Sequence, residues 1–93
     1  MTLKLNYHLL LYVAGNSGKS RIAIGNLQTY CKDHLPGRHS LEIIDLLLQP
    51  HLAAQDGIFA IPTLVKRSPE PLKKLIGDLS DKKRVLSLFG IQI

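Results

Sequence analysis

The sequence predicts an α/β fold in which a small mixed sheet carries helices on its faces. Residues 7–14 are almost continuously apolar over the length of a strand, residues 17–34 place apolar side chains at helical spacing, and residues 41–47 are a second apolar run. A strand, a helix and a strand within so short a span favour a parallel crossover that sets the two strands side by side. Because 93 residues suffice for one hydrophobic core, we expect a single domain over residues 1–93.

The first strand, Tyr7 to Ala14, reads YHLLLYVA and lacks polar alternation. This pattern is typical of a strand that is covered on both faces, so we expect it at the centre of the sheet. After a turn at Gly15-Asn16, Ser17 is placed to cap a helix that runs to about His34. Pro36-Gly37 then ends that helix.

The middle of the chain predicts a short helix and a hairpin. Pro50 at a first helical position and Gly57 just past the last one bracket a helix from His51 to Asp56. Two strands, Ile61–Lys66 and Leu72–Ile76, are separated by a proline-containing span of a length that closes an antiparallel hairpin.

The last predicted element is a helix that Ser80 caps, with Asp81 in its first turn and Gly90 at its end. Its apolar face consists of Val85, Leu86, Leu88 and Phe89. The predicted order is therefore βαβαββα, with a mixed four-stranded sheet.

The basic charge of the chain does not by itself identify a partner. Twelve Lys and Arg against seven Asp and Glu give a formal net charge of +5, which is typical of nucleic-acid binders and of proteins that dock on acidic protein surfaces. The basic residues are scattered, with no aromatic residues among them to stack on bases, so we expect no nucleic-acid partner. The sequence also lacks a run of about 18 apolar residues and a signal-peptide pattern, and we expect a cytoplasmic protein with no membrane partner.

The stretch Gly15-Asn16-Ser17-Gly18-Lys19-Ser20 superficially matches a phosphate-binding loop. Such a loop needs a glycine, then four residues, then Gly-Lys-Ser, so that successive backbone N–H groups surround the phosphates. That position holds Val13, and Gly15 stands too close to Gly18. We therefore interpret the stretch as a turn into a capped helix and expect no nucleotide cofactor.

Neither a metal site nor a catalytic centre is predicted. The four histidines lack the i, i+4 spacing and the cysteine pairs of common zinc sites; they are His8, His34, His39 and His51. Asp45 at a strand end and Asp78 after Gly77 fit turns and caps better than acid–base catalysis. We expect no cofactor, no metal and no enzymatic activity.

The second half of the chain resembles the thioredoxin fold through Ile61-Pro62-Thr63, then Gly77 and the closing helix. In that fold the proline of the Ile-Pro-Thr segment is cis, so the resemblance predicts a cis bond before Pro62. A redox-active member needs a Cys-x-x-Cys pair at the start of the first helix. Residues 16–19, Asn-Ser-Gly-Lys, stand there instead, and Cys31 lies on the packing face of the helix, where we expect a buried small hydrophobe.

A more specific resemblance, over about residues 8–89, is to the KaiB family of circadian-clock proteins. It is carried by five segments with the family's spacing: residues 11–16 (LYVAGN), 44–45 (ID), 49–50 (QP), 60–64 (AIPTL) and 76–80 (IGDLS). The resemblance implies a non-enzymatic adaptor that docks on a hexameric KaiC-type ATPase. In cyanobacterial clocks such an adaptor also captures KaiA and displaces a KaiB-like sensor histidine kinase.

The KaiB resemblance also implies two possible folds. The second half of family members forms either the thioredoxin-like arrangement or a different packing, βαββααβ, that occurs in tetramers. This chain has Leu88 where clock members tend to carry glycine, and leucine favours helix over glycine by nearly 1 kcal/mol. We therefore expect the thioredoxin-like form, as a monomer or weak dimer rather than a tetramer, with Pro62, Gly77 and Leu88 as its fold-determining residues.

Charged residues around the second strand and the hairpin are the predicted docking residues, because charge complementarity sets encounter rate and orientation. They are Arg38, Glu42, Lys66, Lys73 and Lys74. Glu42 and Gly57 stand where clock members commonly have lysine. A role with a KaiC-like ATPase in stress adaptation is therefore expected at least as much as a role in a circadian oscillator. A redox-inactive thioredoxin-like binding module unrelated to a clock, or a nucleotide- or nucleic-acid-binding protein, is the alternative.

Overall fold

The computed structural model describes residues 6–91 and contains one four-stranded mixed sheet with the strand order β2-β1-β3-β4. Helices α1 and α3 lie on one face of the sheet and α2 on the other. The elements in chain order are β1 (Tyr7–Val13), α1 (Gly18–His34), β2 (His39–Asp45), α2 (His51–Gln55), β3 (Thr63–Ser68), β4 (Lys73–Ile76) and α3 (Lys82–Phe89). This is the predicted βαβαββα order, and the α/β class is confirmed.

Strand β1 is a central strand, as its unbroken apolar pattern predicts. It pairs in parallel with β2 and antiparallel with β3, and β3 forms an antiparallel hairpin with β4. One row across the sheet joins Ile44, Tyr12, Thr63 and Ile76, so the carboxyl ends of β1, β2 and β4 and the amino end of β3 meet at one end of the sheet.

The sheet separates two hydrophobic cores, because successive side chains of a strand point to opposite faces. On the α1/α3 face, Leu9 and Leu11 of β1 pack with Leu27 of α1 and with Leu86 and Phe89 of α3. On the α2 face the core is smaller. It consists of Leu10, Tyr12, Ile44, Leu46, Ile58 and Val65, against which Leu52 and Ala53 of α2 pack.

Strands β2 and β3 are each shifted by two residues from their predicted bounds, and β1 and β4 are each one residue shorter than predicted. Strand β2 covers His39–Asp45 instead of residues 41–47, because the Asp45 carboxylate accepts hydrogen bonds from the backbone N–H groups of Gly15 and Leu47, both at 2.9 Å, and turns the chain. Strand β3 begins at Thr63 rather than Ile61, directly after the cis bond between Ile61 and Pro62, and extends to Ser68.

Helix α3 begins one residue later than predicted. Asp81, not Ser80, is its N-cap and accepts a hydrogen bond from the Arg84 N–H at 3.3 Å. Gly90 ends it in the left-handed conformation with φ 83°.

The three predicted fold-determining residues fit this arrangement. Pro62 follows a cis bond, Gly77 has φ 122°, and Leu88 is buried with 5% exposure in the α1/α3 core. A φ of 122° lies in a region that favours glycine, so Gly77 suits the end of β4. Residues 82–89 are helical, as expected for the thioredoxin-like form rather than for the alternative βαββααβ packing.

Candidate protein-binding surfaces

The corner between β1 and α1 is organised by its own side chains. Ser17 caps α1 and accepts a hydrogen bond from the Ser20 N–H at 3.3 Å, while the Ser20 hydroxyl accepts one from the Ala14 N–H at 3.2 Å. Gly15 adopts φ 58° in the turn and donates its N–H to Asp45. These contacts build the turn into a capped helix that the sequence predicted.

No thiol lies at this corner. Cys31, the one cysteine of the sequence, lies in α1 with 1% of its surface exposed. Burial disfavours the thiolate and raises the pKa of Cys31 to about 11. Since the thiolate is the nucleophile in thiol exchange, the geometry gives this cysteine a packing role.

The end of the sheet next to this corner carries large exposed apolar side chains. Leu47 and Leu48 follow β2 and are 69% and 80% exposed, and Phe59, in the segment that leads to β3, is 96% exposed. Ile61 precedes β3 and Ile76 ends β4, and both are exposed. We call these five residues the apolar end. Large apolar side chains that are exposed at one end of a folded domain are candidates for contact with another protein.

Arg38 and Glu42, two predicted docking residues, lie on the β2 side of the sheet. The Arg38 guanidinium lies 5.8 Å from the centroid of the Tyr7 ring, within range of a cation–π contact. The Glu42 carboxylate is exposed and lies 3.9 Å from Nε2 of His8 on the neighbouring strand. Both side chains remain available to a partner at this edge.

The three predicted docking lysines of the hairpin differ in their surroundings. Lys66 is buried, with 4% exposure, so the structure does not place it on an exposed surface where a partner could dock directly. Burial, and then the charge of Lys73 opposite it, lower the pKa of Lys66. Lys74 donates from Nζ to the carbonyls of Asp56 and Gly57 at 3.3 and 3.2 Å, across the end of α2.

The five predicted docking residues are therefore not brought together. Arg38 and Glu42 belong to the β2 side, whereas Lys73 and Lys74 belong to β4 at the opposite edge of the sheet. The apolar end lay outside the prediction, because apolar residues in a sequence are first assigned to the core. One signal was present: Leu46, Leu47 and Leu48 are consecutive, and side chains that alternate in direction cannot all enter one core.

A carboxylate and a tyrosine join α2 to the sheet. The Tyr12 hydroxyl donates to Oδ2 of Asp56 at 2.6 Å, and Nη2 of Arg67 lies 4.0 Å from Oδ1 of the same carboxylate. Burial, followed by the hydrogen bond with Asp56, raises the pKa of Tyr12. The hydroxyl therefore stays protonated near neutral pH and acts as a hydrogen-bond donor.

Within residues 6–91, no group of three or more His, Cys, Asp and Glu side chains is arranged to hold a metal ion. In the same residues, no helix combines the length and the apolar character needed to cross a bilayer.

Comparison with known proteins assigns the family. The model of the KaiB domain matches residues 10–91. The chain belongs to the KaiB family. Over 86 residues it is 44% identical to the circadian clock oscillator protein KaiB of Prochlorococcus marinus strain MIT 9312, covering 92% of this chain and 82% of that protein. It is 46% identical over 85 residues to KaiB of Gloeothece citriformis, covering 91% of this chain and 80% of the relative.

Solved structures confirm the thioredoxin-like fold of this KaiB family member. The N-terminal domain of Synechococcus elongatus SasA superposes with a TM-score of 0.76 at 23% identity, covering 99% of this chain and 90% of that one. Mitochondrial thioredoxin 3 of Saccharomyces cerevisiae superposes with a TM-score of 0.74 at 16% identity, covering 94% of this chain and 80% of the thioredoxin. At these identities the likeness concerns the fold alone.

Proposed function

We propose that this member of the KaiB family is a non-enzymatic adaptor that docks on a KaiC-type ATPase and modulates its activity or signalling, in circadian timing or in stress adaptation. The observation that carries the proposal is the apolar end, where Phe59, Leu48 and Leu47 are 96%, 80% and 69% exposed. A chain of the KaiB family with such a surface is suited to hold another protein.

The apolar end supports docking because its burial releases free energy. Covering apolar surface contributes about 25 cal/mol per Å², and a leucine or phenylalanine that becomes fully buried contributes about 1.5–3 kcal/mol. Phe59 is the strongest anchor, because aromatic side chains combine large contact area with few rotatable bonds. Ile61 and Ile76 extend the same surface toward β4.

The start of α1 also supports binding rather than redox catalysis. At the start of α1, where a thioredoxin carries its cysteine pair, Ser17 caps the helix and Lys19 is exposed. The buried thiol of Cys31 lies farther along the helix and has a raised pKa.

Charged residues would orient the partner rather than supply most of the affinity. Arg38 and Glu42 would act beside β2, and Lys73 beside β4. Lys66 would act indirectly, because its charge lies opposite that of Lys73. Lys74 would act indirectly by holding the end of α2 through its hydrogen bonds to Asp56 and Gly57. A KaiA-like protein or a sensor histidine kinase is the proposed second partner.

We also propose that the chain is a monomer or a weak dimer. Sedimentation of the purified chain measures this oligomeric state.

The test is direct binding between the purified chain and the purified KaiC-type ATPase of the same organism. Phe59→Ser and Leu48→Ser remove apolar surface without opening the core, because both side chains are exposed. Each is expected to weaken binding at least about ten-fold, the effect of losing about 1.4 kcal/mol.

Leu72→Ser is the matched control. Leu72 is 57% exposed and directly precedes β4, at the opposite end of that strand from Ile76, so this variant should bind like the wild type. If the wild-type chain fails to bind the ATPase, the adaptor proposal is wrong, and a binding module unrelated to a clock takes its place. If all three variants bind equally, the apolar end is not the docking surface.

A further inference from the structure

A basic groove runs between β4 and α3 on the α1/α3 face of the sheet. It has a volume of about 390 Å³ and is open to solvent along its length. Lys73 and Leu75 of β4 line one side, and Lys83, Arg84 and Leu88 of α3 line the other. None of these residues belongs to the apolar end, so the groove is a separate surface.

The groove concentrates positive charge. Lys73, Lys83 and Arg84 are exposed cations around one concavity, and the buried Lys66 lies behind Lys73 as its cross-strand neighbour. Directly opposite residues of an antiparallel pair on one face have Cβ atoms about 5 Å apart, so these two ammonium groups repel each other. The ion pairs described within residues 6–91, His8–Glu42 and Arg67–Asp56, involve none of the groove's cations.

The floor of the groove is aliphatic. Leu75 is half-buried and Leu88 is buried, and both pack with the α1/α3 core. None of the groove's lining residues is aromatic. Single-stranded nucleic acids are held largely by stacking of bases on aromatic rings, so the floor fits an aliphatic side chain better than a base.

The position of β4 suits an extended ligand. Within residues 6–91, the strand order ends at β4, and only β3 pairs with it, so its outer backbone edge faces away from the sheet. An extended peptide can lie along such an edge and place alternate side chains into an adjacent groove.

We propose that this groove binds an acidic peptide segment of a partner protein, with carboxylates at Lys73, Lys83 and Arg84 and an aliphatic side chain over Leu75 and Leu88. Arg84 offers the planar donor pair that matches a carboxylate. The bound carboxylates also offset the repulsion between Lys66 and Lys73. This surface goes beyond the proposed adaptor function, because it recognises a different ligand chemistry and shares only Lys73 with the residues proposed to orient the ATPase.

Fluorescence anisotropy with a labelled synthetic peptide, in which glutamates flank a central leucine, tests the proposal on the full chain. A second peptide has glutamine in place of every glutamate, and a third has serine in place of the leucine. The glutamate peptide is expected to bind, the glutamine peptide to show no binding, and the serine peptide to bind more weakly. Raising the ionic strength should weaken the glutamate peptide's binding.

The decisive variants lie next to each other in α3. Lys83→Glu combined with Arg84→Glu should weaken binding of the glutamate peptide by about ten-fold or more. Lys82→Glu with Lys32→Glu makes the same change in net charge outside the groove lining and should weaken it less than two-fold. Circular dichroism establishes that both double variants remain folded.

Three outcomes would overturn the proposal. Equal weakening in the two double variants would show that only net charge matters. Binding of the glutamine peptide as tight as that of the glutamate peptide would remove the role of the carboxylates. A single-stranded oligonucleotide that displaces the peptide and binds more tightly through Lys83 and Arg84 would make the groove a nucleic-acid site. The Leu48→Ser variant should bind the peptide normally, which separates this result from that of the ATPase experiment.

Discussion

Replacing Leu88 with glycine tests whether side-chain packing holds α3 against the sheet. Leu88 is the second-last residue of α3 and is buried with 5% exposure in the α1/α3 core. Truncating a buried leucine to alanine costs about 2–5 kcal/mol, because apolar contact is lost and a cavity remains. Going from alanine to glycine in a helix adds up to about 1 kcal/mol.

The expected loss in the free energy of unfolding is therefore about 2–6 kcal/mol for Leu88→Gly. Domains of this size have total stabilities of about 5–15 kcal/mol, so the variant should lie close to the limit of folding. Urea denaturation followed by circular dichroism measures the loss, and nuclear magnetic resonance shifts of residues 85–91 report whether the helix persists.

Ser87→Gly is the matched control, because Ser87 is the exposed neighbour of Leu88 in the same helix. It changes helix propensity without touching the core and should cost only about 0.5 kcal/mol. A loss below about 1 kcal/mol for Leu88→Gly, or equal losses in both variants, would refute the packing argument. Strand-like shifts for residues 85–91 in the free wild-type chain would refute the expected preference for the thioredoxin-like form.

Two further predictions concern buried polar groups. Folding raises the pKa of Cys31 from 9.0 to about 11, so the stability due to the neutral thiol is complete below pH 9 and is lost as the pH rises toward 11. The loss should reach about 2–3 kcal/mol by urea denaturation, Cys31→Ala should lose correspondingly less over the same range, and identical pH profiles would contradict the burial of this thiol. Tyr7→Phe removes the 2.6 Å hydrogen bond from the tyrosine hydroxyl to the carbonyl of Phe89 at the end of α3. Since the carbonyl is then buried without this donor, the variant should lose about 1–3 kcal/mol in the same assay, and an unchanged stability would show that the bond contributes little.

The elements of the fold could be predicted because they rest on local patterns. The unbroken apolar run at residues 7–14 predicted the central strand, and Ser17 predicted the start of α1. The boundaries of β2 could not be predicted in the same way, because the apolar run continues past Asp45. The strand ends there because the Asp45 carboxylate bonds to Gly15, a residue 30 positions away.

The surfaces were harder to predict than the strands, because exposure depends on what the rest of the chain covers. Lys66 and Lys73 are the same residue type, and both lie in the strands of the hairpin. The fold nevertheless buries Lys66 and leaves Lys73 exposed at the edge of the sheet. Phe59 shows the reverse: an aromatic residue beside the buried Ile58 would be assigned to the core, but the turn into β3 directs it to solvent. The groove is lined by residues of β4 and of α3. These two elements come together only when the hairpin and the last helix pack in the folded chain, so their proximity could not be predicted from a local pattern.

The two faces of the sheet are covered unequally. Among residues 6–91 the α1/α3 core holds fourteen buried residues and the α2 core six, and none of the five residues of α2 is itself buried. Lifting α2 from the sheet therefore costs a fraction of what complete unfolding costs. The side of the sheet that α2 covers should open more readily than the α1/α3 side, which keeps its packing.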